Sequence, residues 1–146
     1  MTVTRPTFYA LPLIGWKENI ALPLLGTGQL DAKIDTGARM AALHAEDLSI
    51  KGRKVKFTLM LSGKSKRCES RLVDVKRIKS SNGAIEKRPV IETVIQIGLH
   101  QFSALITLTD RADMGVPMLL GREILKGRFL VNPARTFLMR PKKVNI

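Results

Sequence analysis

Cysteine is almost absent. Cys68 is the only one in 146 residues, so no disulfide can form within the chain and folding needs no oxidising compartment. Aromatic residues make up only 5%, with one Trp and one Tyr, both near the N-terminus, which leaves little surface on which nucleic-acid bases could stack. No apolar run is long enough to span a bilayer. The best candidate, 8–16, contains Pro12 and lacks the small-residue cleavage site of a secretory leader; it reads as a leading segment and the start of a first strand. No membrane association is expected, and the expected location is cytoplasmic. A Gly-rich phosphate loop followed by Lys-Ser or Lys-Thr is also missing, which argues against an ATP site. Acids are few: 12 Asp and Glu stand against 25 Lys and Arg, for a formal net charge of +13 and a pI near 10.5.

A charge of this size sets up a field of one sign over much of the surface and implies an acidic partner. The cations fall in short clusters at 51–56, 64–67, 76–79, 87–88 and 140–143. No known nucleic-acid recognition motif accompanies them. Nearly half of the residues are apolar and there is no long polar tract, so 1–146 is expected to be one folded domain.

Alternation of polar and apolar residues predicts strands. They are expected over 16–22, ended by Pro23; over 29–34; over 55–61, with Val55, Phe57, Leu59 and Leu61 on the buried side; and over 102–109. Two longer extended segments, 67–79 and 84–97, flank Ser80-Ser81-Asn82-Gly83, whose Asn-Gly pair suits a tight hairpin. Tail strands are expected over 129–131 and 136–139. The expected helix is one or two turns at 122–126, stopped by Gly127.

Within this pattern, Ile34-Asp35-Thr36-Gly37-Ala38 delivers an acid from a strand end into a turn. Thr36 can hydrogen-bond locally and Gly37 lets the backbone turn sharply or approach a neighbour, so the Asp35 carboxylate would be held rigidly. Further on, Pro117-Met118-Leu119-Leu120-Gly121-Arg122 reads as a buried strand that stops at a glycine. Asp-Thr-Gly-Ala followed by apolar-apolar-Gly-Arg resembles the retropepsin-like aspartic peptidases. The likeness extends over Ala38-Arg39, Ala42-Leu43-His44, Arg88-Pro89-Val90-Ile91, 108–115 and 128–135. These residues resemble a bacterial retropepsin-like family that has also carried the label of an ATP-dependent zinc protease.

The resemblance implies an all-β, single-domain acid-protease fold, a closed barrel with one short helix, in which the Leu119-Leu120-Gly121 strand crosses and buries the Asp-Thr-Gly turn. It also implies an aspartic peptidase. Hydrolysis by carboxylates needs two acids sharing a proton, so one Asp-Thr-Gly per chain points to a homodimer that joins Asp35 to its symmetry mate. Thr36, Gly37 and Ala38 would support the turn, and Leu120, Gly121 and Arg122 the buried strand and the dimer, Arg122 through an ion pair. The hairpin at Asn82 and Gly83 corresponds to the retropepsin flap, although without a Gly-rich tip. Lys76, Arg77, Lys79, Lys87 and Arg88 on its arms, with Arg39 and His44, are expected on the substrate side. Members of this family are often paired with ATP-grasp ligases that add glutamates to protein ends, so an acidic peptide or oligoglutamate tail is the expected substrate, with no cofactor.

Two rival readings follow from the residues. A zinc peptidase would have to draw its ligands from His44, His100, Cys68 and Asp47, without a His-Glu-x-x-His pair. A non-catalytic module on the same fold would bind nucleic acid or an acidic protein through its basic surface. Asp31, Asp110 and Asp113 also sit near expected strand ends, and the last two are candidates for a second carboxylate within one chain.

Overall fold

The computed structural model describes residues 11–79 and 82–140; Phe8 to Ala10 of the expected leading segment, Ser80 and Ser81 of the hairpin tip, and 141–143 of the last basic cluster lie outside them. In chain order the strands are β1 (Leu13–Gly15), β2 (Lys17–Ile20), β3 (Leu30–Ile34), β4 (Ala41–His44), β5 (Glu46–Lys51), β6 (Lys54–Leu61), β7 (Lys64–Arg71), β8 (Asp74–Lys79), β9 (Ile85–Ile97), β10 (His100–Thr109), β11 (Met118–Leu120) and β12 (Leu130–Asn132). One short helix, α1 (Arg122–Leu125), lies between the last two strands. No helix among the described residues is long and apolar enough to cross a membrane.

Seven strands form the main sheet in the order β2-β3-β11-β4-β10-β9-β8, while β5-β6-β7 and β1-β12 form sheets of three and two strands. β11 lies inside the sheet, between β3 and β4. It runs parallel to β3, with Leu120 opposite Ile34, and antiparallel to β4, with Met118 opposite Leu43. Met118 and Leu120, on one face of this strand, are fully buried, while Leu119 on the other is half-buried. β6 alternates: Val55, Phe57 and Leu59 enter the core shared with Leu43, Ile91, Ile95 and Leu108, while Lys54, Lys56 and Met60 are exposed. Burying each such apolar side chain stabilises the fold by about 1.5–3 kcal/mol.

The expected closed barrel is not completed as a continuous ladder. The main sheet curls until Ala21, just past β2, and Gln96 in β9 exchange both backbone hydrogen bonds at 2.9 Å, but this is an isolated bridge. Two residues later the chain enters a tight 3-10 turn at Pro23–Leu25, where proline has no N–H to offer a ladder.

Three strand expectations also change. The extended run over 67–79 is divided: β7 belongs to the small sheet, Leu72 and Val73 cross over, and β8 joins the main sheet. The segment 136–139 is not a strand, because Phe137 takes φ 55° and the next two N–H groups turn inward to Glu18. The expected strand at 16–22 is β2 alone, ending at Ile20.

Glu18 is fully buried and explains that inward turn. Its carboxylate accepts the N–H groups of Gly15 at 2.6 Å, Leu138 at 2.9 Å and Met139 at 3.0 Å. Backbone donors thus replace the water that a buried charge requires.

Candidate active site

β3 places Asp35 half-buried at its end. The Gly37 N–H donates to Asp35 Oδ1 at 2.9 Å and the Ala38 N–H to the Asp35 carbonyl at 3.2 Å, so the turn fixes the carboxylate with its own backbone. Among the described residues Oδ2 has no hydrogen-bond partner. Gly37 itself does not take a left-handed φ; its contribution is the N–H and the absence of a side chain, since an added Cβ would lie 3.2 Å from Oδ1. Thr36 contributes its carbonyl, which accepts Arg122 Nη1 at 3.0 Å, and its side chain is exposed.

β11 and α1 strap this turn in place. Asp35 N–H donates to the Leu120 carbonyl at 2.9 Å, Arg122 N–H to Ala38 at 2.8 Å and Glu123 N–H to Arg39 at 3.0 Å. Gly121 stands at the crossing, where a Cβ would come within 2.6 Å of the Met40 carbonyl oxygen and 2.8 Å of that of Ala38. Arg122 therefore braces its own chain's turn, through both backbone and guanidinium.

The hairpin cations divide into two groups. Lys76 lies 3.6 Å from Asp74, and Arg39 pairs with Glu123 at 3.2 Å. Arg88, expected on the substrate side, is mostly buried: Glu86, two residues earlier on the same strand face, holds it at 3.0 Å and also accepts the buried Thr109 hydroxyl at 2.6 Å. Arg77, Lys79 and Lys87 are exposed and have no ion-pair partner among the described residues, and Arg77 stands directly opposite Lys87. At the tip Gly83 takes φ 86°, and Asn82 Oδ1 accepts the Ala84 N–H at 3.2 Å.

His44 ends β4 in a polar cluster. Its Nδ1 accepts the Arg111 N–H at 3.0 Å, and Nε2 lies 3.6 Å from Glu46. With Asp110 these make the one group of three among the described residues whose ligand-capable atoms all lie within 4.8 Å of one another. The zinc set weighed from the sequence is not assembled. His100 sits edge-on to Phe129, Cys68 is buried, and the Asp47 carbonyl accepts Arg67. Burial pushes the Cys68 thiol up, against the opposing pull of Lys66 and Arg67. Asp31 pairs with Lys17 at 3.5 Å, and Asp113 with Arg111 at 3.5 Å.

Glu123, Glu86 and Glu46 were not singled out by sequence reasoning. Only Glu46 carried a local signal, since His44 and Glu46 are two residues apart; Arg39 meets Glu123 across 84 positions.

Two grooves flank Arg39. One, of about 350 Å³, runs from Met40 and Glu123 to Asp74 and Lys76 at the hairpin base; the other, of about 440 Å³, is lined by Thr36, Arg122, Phe129 and Val131. Asp35 lines neither. Beyond them, Leu13 and Leu130 sit opposite each other in the β1-β12 pair and are 52% and 40% exposed.

Comparisons agree with this geometry. A protein of unknown function (DUF785) from Legionella pneumophila superposes with a TM-score of 0.74 at 30% identity, covering 88% of this chain and 98% of that one. A probable alpha-L-glutamate ligase of Shewanella halifaxensis is 42% identical over 135 residues, and one of Desulfotalea psychrophila 32% identical over 133. These matches cover 87% and 86% of this chain but only 30% and 29% of the ligases, so the chain spans about a third or less of those relatives. Residues 13–142 match the family described as retropepsin-like aspartic endopeptidase RimB, and the chain belongs to this RimB-like family.

Proposed function

We propose that the chain is an aspartic endopeptidase acting as a homodimer, with one Asp35 from each copy, on acidic peptides and above all on oligoglutamate tails. The observation that carries this is the strapped turn: Asp35 is fixed through Oδ1 while Oδ2 has no hydrogen-bond partner among the described residues. In the dimer the two Asp35 carboxyl groups share one proton and hold a water between them. The ionised one takes a proton from the water as its oxygen attacks the peptide carbonyl, and the protonated one gives its proton to the carbonyl oxygen. When the C–N bond breaks, the leaving nitrogen takes up a proton from the dyad.

Two features support the dimer. Leu13 and Leu130 form an exposed apolar pair on a two-stranded sheet, an element too small to be stable alone, and the Thr36 side chain is exposed beside Asp35. Support for the substrate comes from Arg77, Lys79 and Lys87, cations without an acid partner among the described residues, and from the relatives named as probable alpha-L-glutamate ligases.

Asp35→Asn tests the mechanism directly. The amide keeps the shape and cannot share the proton, so hydrolysis of a Glu-rich peptide is expected to fall to background while sedimentation still reports a dimer. Substantial residual activity would refute the aspartic mechanism.

A further inference from the structure

The outer face of the β5-β6-β7 sheet carries a charge pattern that the site above does not use. The inner face buries Val55, Phe57, Leu59 and Cys68, so the opposite face is turned to solvent. There Lys51, Lys54 and Arg71 stand directly opposite one another across the three strands, forming one rung of three exposed cations. The next rung holds Ser49, Lys56 and Glu69, and Glu69 is the one acid of the two rungs, 3.4 Å from Lys54. Like charges placed directly opposite in a sheet repel and lower its stability. An anionic occupant would relieve that repulsion.

Between this face and the groove beside Arg39, whose lining does not include Asp35, lies a series of surface hollows that share lining residues. The groove beside Arg39 shares Val73 and Asp74 with a second hollow, which shares Arg53 and Arg71 with a third, which shares Lys54 and Glu69 with a fourth that reaches Lys51 and Lys56. The spacing suits an extended acidic peptide. Lys54 and Lys56 lie on one strand face about 6.8 Å apart, the distance between alternate side chains of an extended chain of glutamates.

We propose that this line is an exosite that holds the distal part of a long oligoglutamate chain while its scissile bond lies at the Asp35 dyad. The proposal rests on the reading of the chain as a peptidase of acidic peptides. Such an exosite makes the enzyme prefer long tails to short ones, because glutamates beyond the cleft add binding only when they reach the small sheet. The attraction is between exposed charges and weakens with salt.

The test is the variant Lys51→Glu/Lys54→Glu/Arg71→Glu, with the milder Lys51→Gln/Lys54→Gln/Arg71→Gln as a check on folding. Peptides of about four and about twelve glutamates are compared, the longer spanning about 40 Å when extended. The expected result is a rise of at least about tenfold in KM for the long peptide in the Glu variant, a smaller rise in the Gln variant, and an unchanged kcat/KM for the short one. Binding of the labelled long peptide is read separately by fluorescence anisotropy in an Asp35→Asn background, where no turnover is needed. That titration distinguishes failure of the exosite from failure of the peptidase reading. Equal binding of the long peptide before and after charge reversal overturns the exosite, whether or not anything is cleaved. So does an RNA oligonucleotide of equal charge that binds the face more tightly than the glutamate peptide.

Discussion

Gly121 leaves no room for even one carbon, because the backbone oxygens of Met40 and Ala38 lie within 2.6 and 2.8 Å of where a Cβ would stand. Gly121→Ala must push either β11 or the Asp35 turn outward, and backbone cannot rotate away as a side chain can. A loss of about 1–3 kcal/mol in urea unfolding is expected, with a larger proportional loss of peptide hydrolysis because the displaced group is the turn itself. Cys68 gives a second residue-level expectation. Burial raises the thiol's pKa in the folded chain, so the folded state keeps its proton where the unfolded state has lost it; stability should fall as pH rises past the thiol's ordinary range. Thermal unfolding as a function of pH, with Cys68→Ala as the flat control, reads this. Asp35 was legible in the sequence because its turn is built from its immediate neighbours. Glu18 was not, because its burial depends on N–H groups 120 and 121 residues away, and nothing near it in the chain marks it as different from a surface acid.

Among the elements, β6 was legible because alternation alone decides which face is buried, whereas β10 was legible only as a strand, since Ile106 to Thr109 are all buried and both faces are covered there. The break between β7 and β8 was not, since Leu72 and Val73 extend the same pattern while the chain changes sheets, and only pairing reveals the change. The segment 136–139 misled for the opposite reason: it reads as a strand but gives its N–H groups to a side chain. Glu18→Ala should therefore release this segment and leave three donors unpaired, lowering stability by about 3–5 kcal/mol in denaturant titration. Glu18→Gln keeps one acceptor oxygen and should fall between. Arg122 ties α1 to the Thr36 carbonyl, so Arg122→Ala should loosen the turn and, on the proposed dimer, make specific activity rise steeply with protein concentration. Activity independent of concentration in a species that sediments as a monomer would remove the need for a second copy, and the second acid would then have to come from within the chain.

At the scale of the whole molecule the excess of 13 positive charges governs encounter rather than fold. Cleavage of a Glu-rich peptide should slow as salt rises, chiefly in kcat/KM, while a neutral peptide responds little. A chelator should leave both rates unchanged. Inhibition reversed by added zinc would move the chemistry to His44, Glu46 and Asp110. The order of strands has another consequence. β11 lies between β3 and β4 in space but follows them by more than 70 residues in the chain, and β12 pairs with β1 at still greater separation. During synthesis, β3 and the Asp35 turn leave the ribosome long before the strand that locks them exists. Contacts of such long sequence separation form slowly, so the acid stays unfastened at least until β11 has been made. If the proposed activity holds, a chain assembled in this order cannot attack its own emerging length or its neighbours on the polysome.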